Sequence, residues 1–126
     1  RYVDLATLAN FSAHDAAEEE ILLRTYFGKA PDARQRARMR VMRQVNHVFY
    51  GAIFLTGAAA ERPGVRLPDQ DLAGPSMGEL HAGLAGGAFA LDTWEGRVAY
   101  GRSRLAAALT GMSAPEFDAA LALVAY

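Results

Sequence analysis

The stretch Val41-Met42-Arg43-Gln44-Val45-Asn46-His47-Val48-Phe49-Tyr50-Gly51-Ala52-Ile53-Phe54-Leu55 decides the fold class. Its positions Val41, Val45, Val48, Ala52 and Leu55 recur in alternating steps of four and three, the spacing of an apolar stripe along an α-helix that faces a neighbour. Pro31 suits the first turn of that helix, which is predicted to reach about Thr56. Outward from it the same character continues. Ala, Leu, Arg and Glu dominate, no sustained period-two alternation occurs, and Asn-Gly or Asp-Gly hairpin turns are absent. The class is all-α, a bundle of about five to six helices.

Upstream, Val3, Leu5, Leu8, Ala9 and Phe11 spread apolar side chains around a helix from Val3 to about Ala13, which is expected to be largely buried. Asp15 caps the next helix with Glu18 three residues on, Glu18, Glu19 and Glu20 sit at its positive end, and Gly28 terminates it. Leu22 with Tyr26 and Leu23 with Phe27 are four-residue pairs expected on its inner side. Downstream, Pro63, Gly64, Pro68, Gly74 and Pro75 mark a Pro/Gly-rich connection over about residues 57–76. A short helix is possible over Met77 to Leu84, against the cost of its glycines. Trp94, Val98, Gly101, Leu105 and Leu109 then line one face of a long helix ended by Gly111. Ser113 and Glu116, with Pro115 in the first turn, form a capping box that opens the last helix.

Composition narrows the functions. With 126 residues, 52% of them apolar, the chain suffices for a single domain. Thirteen basic and fourteen acidic side chains leave a net charge of −1, which points to neither nucleic acid nor an anionic membrane as partner. No cysteine is present, so disulfides, thiol nucleophiles and cysteine-ligated zinc are excluded, and the composition fits a reducing cytoplasm. The most apolar run, Val48 to Ala60, is far shorter than the roughly 20 residues of a membrane span. Arg1 stands where an initiator Met would and no signal-peptide pattern follows, so the chain is expected to have been cut from a longer one. His14, His47 and His81 lack metal-ligand spacing, no serine sits in a Gly-x-Ser-x-Gly setting, and Gly83 to Gly87 lack the Lys-Ser/Thr of a phosphate loop.

The run Arg1-Tyr2-Val3-Asp4-Leu5-Ala6-Thr7-Leu8-Ala9-Asn10, then Glu18-Glu19-Glu20, Leu22-Leu23 and Tyr26-Phe27-Gly28, resembles the choline/ethanolamine kinase family and its aminoglycoside-phosphotransferase relatives. Arg38-Met39 on a basic helix leading into Phe49-Tyr50-Gly51, and the later Tyr100-Gly101-Arg102-Ser103-Arg104-Leu105 and Pro115-Glu116-Phe117, extend the resemblance over about residues 1–56 and 92–124. It implies the C-terminal helical subdomain of a protein-kinase-like fold. The whole enzyme would use ATP and Mg to phosphorylate a hydroxyl of an amino alcohol, choline- or ethanolamine-like. Phosphoryl transfer of this kind rests on positioning and on metal-assisted charge stabilisation. The family's ATP lysine, His-x-Asp loop, companion Asn and magnesium-binding Asp match no position here. They are expected before Arg1, so the fragment alone would have no catalytic residue, no metal site and no bound cofactor, and its own N-terminal lobe would be its partner.

The resemblance assigns Asp4 as a structural anchor of the catalytic loop; read by itself, Asp4 is a cap or dipole partner at a helix start. Tyr50, Trp94 and Tyr100 are the candidate substrate-binding aromatics, because aromatic faces and carboxylates hold an ammonium, and core packing is the other reading. Choline-binding family members carry two tryptophans three apart where this chain has Tyr50 and Ile53, and Phe11 and Ala16 stand near the positions of a second aromatic and a carboxylate. Arg34, Arg36, Arg38, Arg40 and Arg43 read as a solvated face or an anion-attracting one, and Glu18 to Glu20 as a helix-start cluster or a lure for a cation. The alternatives to an amino-alcohol kinase are an aminoglycoside-type phosphotransferase and a non-enzymatic helical binding domain.

Overall fold

The computed structural model describes residues 1–66 and 74–125. Six helices follow one another: α1 (Tyr2–Ser12), α2 (Ala16–Phe27), α3 (Ala33–Glu61), α4 (Met77–Gly86), α5 (Trp94–Ser113) and α6 (Pro115–Val124), with no strand among the described residues. The all-helical reading therefore holds. Packing groups the chain into two compact units, Arg1–Asn46 with Gly111–Tyr126 and His47–Thr110.

In the first unit Leu5, Ala6, Ala9 and Ala13 pack with Leu23 of α2 and Met39 of α3, and Leu22, Phe27 and Met42 close the margin. Full burial of a side chain such as Leu23 or Met39 stabilises by about 1.5–3 kcal/mol. The expectation of a largely buried α1 is corrected: Val3, Leu8 and Phe11 are exposed. Apolar residues surround this helix, but its buried positions are Leu5, Ala6, Ala9 and Asn10.

Local chemistry sets the helix ends. The Asp15 carboxylate accepts from Glu18 N–H, and Gly28 closes α2 in the left-handed region at φ 67°, where a β-carbon would be strained. α3 opens two residues after Pro31, because Asp32 and Gln35 cap it reciprocally, Asp32 accepting from Gln35 N–H and Gln35 Oε1 from Asp32 N–H. It also runs five residues past Thr56. Gly57 lies between helix formers and costs only about 1 kcal/mol, too little to stop it, and the stop comes at Pro63-Gly64, with Gly64 at φ 83°.

The stripe expected to face a neighbour is corrected as well. Val45, Val48 and Ala52 are exposed, while the buried positions of α3 include Ala37, Met39, Asn46, His47, Gly51 and Ala58. Apart from Met39, these buried positions are polar or small, and an apolar count does not find them.

In the second unit α3 and α5 approach at glycines: a β-carbon at Gly51 would fall 2.8 Å from Leu105 Cγ, and one at Gly101 2.6 Å from Leu55 Cγ. Leu80 of α4, with Val98, Tyr100 and Ala108 of α5, is buried here. α4 is longer than expected, since Ser76 and Glu79 form a capping box and Gly87 caps the far end at φ 78°. α5 passes Gly111 and ends at Ser113, so Ser113 is helical and cannot cap α6; Ala114 takes that place without a side-chain bond, and Pro115 sits at the first helical position. Of the expected connection over 57–76, residues 67–73 lie outside the described residues.

Candidate functional site

The three candidate aromatics all lie in the second unit, and each has a guanidinium against its ring. Arg104 is fully buried. Its Cζ lies 4.9 Å from the Tyr100 centroid and 5.9 Å from that of Tyr50, so one cation bridges two of the predicted substrate residues. Arg104 Nη2 donates to Tyr100 Oη at 2.6 Å, and Nη1 donates to His47 Nδ1 at 3.1 Å. A guanidinium has no acceptor, so His47 Nδ1 must offer its lone pair and the ring's proton sits on Nε2. Phe54 packs on Tyr100 with centroids 4.4 Å apart, and Tyr50 receives Phe49 edge-on at 5.5 Å. Cation, aromatic face and phenol hydroxyl together build a rigid polar knot beneath the half-buried Tyr50.

Trp94 is held apart from that knot by its own partners. Its Nε1 donates to Ala58 O at 2.9 Å, which fixes the indole against α3, and Arg62 Cζ stands 4.6 Å from its centroid. A cavity of about 220 Å³ opens here, walled by Leu55, Ala58, Val65 and Val98 as well as Trp94 and Arg62. Arg62 Nη1 also donates to Glu95 Oε1 at 3.1 Å. The backbone N–H of Glu95 itself, and after it the Arg62 charge, hold the Glu95 carboxyl below its ordinary range.

In the first unit Asp4 lies in the opening turn of α1, with its side chain 89% exposed. Two members of the arginine run, Arg36 and Arg43, are partners of Glu20 and Glu19. Glu20 takes Arg24 from its own helix and a two-pronged contact from Arg36 of α3, while Glu19 takes Arg43. Arg36 and Arg24, through their hydrogen bonds, lower the Glu20 pKa. Glu18 turns back to His14 instead. Arg43 Nε also donates to Asn10 Oδ1 at 2.7 Å; Asn10 Nδ2 donates to Asn46 Oδ1 at 2.9 Å, and Asn46 Nδ2 to Thr7 Oγ1 at 2.8 Å. Arg36 and Arg43 are seven apart, two helical turns, and that spacing could have flagged a shared face toward the acidic α2.

Among the described residues no group of three His, Asp or Glu side chains gathers to hold a metal, and no helix is long and apolar enough to cross a membrane. Sequence reasoning overlooked Arg62, Glu95 and Arg104, the charged residues that touch the candidate aromatics or each other. The adjacency of Trp94 and Glu95 was the available signal for the second pair; nothing in the sequence marks Arg104 as buried. Comparison with known proteins finds no matching family model, no matching curated protein and no matching solved structure.

Proposed function

We propose that these helices are the substrate-side part of an ATP-dependent small-molecule kinase that phosphorylates a hydroxyl of an amino alcohol. A nucleotide-gripping lobe outside these residues supplies ATP, Mg and the catalytic loop. The observation that carries the reading is Trp94 with Glu95, an aromatic face beside a carboxylate at the edge of an apolar cavity, which is the chemistry that retains an organic ammonium. Tyr50 and Tyr100 are tied to each other through Arg104 in the same unit. Val48, Phe49 and Ile53 leave three large apolar side chains of α3 uncovered, and such a patch suits packing by further polypeptide.

In this reading the chain binds and orients the acceptor, and Asp4 at the start of α1 anchors the loop that carries the base. In the same reading every step of the transfer belongs to the nucleotide-gripping lobe. The helical binding domain remains as a second reading, favoured by the same uncovered face. ATP consumption by the natural gene product containing these residues, against choline, ethanolamine, thiamine and aminoglycosides, tests both. Turnover with an amino alcohol is expected. Turnover with aminoglycosides alone moves the acceptor class, and none with any compound leaves the binding domain.

A further inference from the structure

Arg62 satisfies, from within the chain, both halves of a cation-binding pair. Its guanidinium lies over the Trp94 ring and donates to the Glu95 carboxylate, at the mouth of the cavity that Trp94 lines. We infer that Arg62 is a tethered competitor for the Trp94–Glu95 site, so that an organic ammonium binds only as Arg62 swings out to solvent. The inference rests on the amino-alcohol reading for the class of ligand, and it adds a regulatory element to that site.

Three features make the displacement feasible. The Arg62–Glu95 pair is exposed at both ends, 47% and 68% by side chain, and exposed pairs are weakly held. Arg62 is the first residue after α3 and precedes the Pro63-Gly64 turn, so its side chain can leave without unwinding a helix. Trp94, by contrast, is pinned through Nε1 to Ala58 O, so the ring stays in place when the guanidinium departs. Glu95 loses its partner at the same moment and becomes the counter-ion for the incoming charge. The departure requires no covalent step.

Trp94 is the only tryptophan in the chain, so its fluorescence reports this site alone. The 126-residue chain is titrated with tetramethylammonium chloride, with sodium chloride at equal concentration as control. Arg62→Gln is expected to bind tetramethylammonium about tenfold more tightly than the unaltered chain, because both contacts of the competitor are gone. Adding Glu95→Gln to that variant is expected to weaken binding about threefold. Equal affinities with and without Arg62, or a signal that sodium chloride reproduces, would overturn the inference. Arg62→Met, which keeps the aliphatic stem, serves if the glutamine variant fails to fold. A third measurement needs no substitution: nuclear Overhauser contacts between Arg62 and the indole should vanish at saturating tetramethylammonium, and their persistence would refute displacement. None of these readouts involves ATP, so loss of the kinase reading and loss of this inference are separately visible.

Discussion

Gly51 on α3 and Gly101 on α5 meet backbone to backbone: a β-carbon built on either would lie 3.1 Å from the other's carbonyl oxygen. That is tighter than nearly all β-carbon contacts, and the Leu105 and Leu55 side chains would be crowded as well, so the lack of a side chain at both residues lets the two helices come this close. Gly51→Ala or Gly101→Ala is therefore expected to destabilise by about 1–3 kcal/mol through overpacking, although Ala is the better helix former. Gly57→Ala on the same helix meets nothing within 4 Å and should stabilise by about 0.5–1 kcal/mol. Urea midpoints of the three variants give the comparison, and a shared sign would contradict it.

Asn10 is buried and uses its amide in three bonds, donating to Arg43 O and Asn46 Oδ1 and accepting from Arg43 Nε. Asn10→Ala strands those partners and is expected to cost about 1–3 kcal/mol. The double variant with Asn46→Ala should show a coupling of about 0.5–3 kcal/mol, since the second removal leaves fewer orphaned groups. Strict additivity would mean that the amides act independently.

Glu20 supplies an acid-sensitive clasp between α2 and α3. Arg36 and Arg24 hold its folded pKa below the ordinary 4.5, so its contribution is complete above that value and is lost as pH falls through the lower, folded one. The stability difference between the unaltered chain and Glu20→Gln should therefore shrink on acidification below about pH 4.5. Thermal midpoints from pH 7 to pH 3 read this directly, and a constant gap would show that the clasp does not titrate.

Tyr100→Phe removes the hydroxyl that accepts from Arg104 at 2.6 Å in a buried setting. The ring and its packing remain, so the expected loss of about 1–3 kcal/mol reports the hydrogen bond to a buried charge. Chemical unfolding of the two proteins measures it. An unchanged midpoint would mean that Arg104 finds another acceptor without cost.

The α-helical class and most helix ends were legible because they depend on local chemistry: Asp15 and Gly28 do in the structure what their types suggest. Interior positions were less so. The run from Val41 to Leu55 reads as a helix but misreports its buried side, because Asn46, His47 and Gly51 are interior through hydrogen bonding and close approach, which hydropathy does not register. Ser113 reads as a cap only if Gly111 stops α5; the helix instead runs through that glycine, where a β-carbon would collide with Gln44. At the candidate site Tyr50, Trp94 and Tyr100 could be picked out by type. Tyr100 and Arg104 are four apart on one helix, a spacing the sequence displays, but the pairings of Tyr50 with Arg104 and of Trp94 with Arg62 span 54 and 32 positions, which no local pattern covers.

The proposed role of these helices is to hold an amino alcohol for phosphoryl transfer. Phosphorus-31 NMR of the natural gene product with ATP, Mg and ethanolamine or choline tests that role. A new phosphomonoester resonance, diminished when Trp94 is replaced by Ala, is the expected result. Consumption of neither ATP nor acceptor, in a protein that is folded and binds nucleotide, would contradict it.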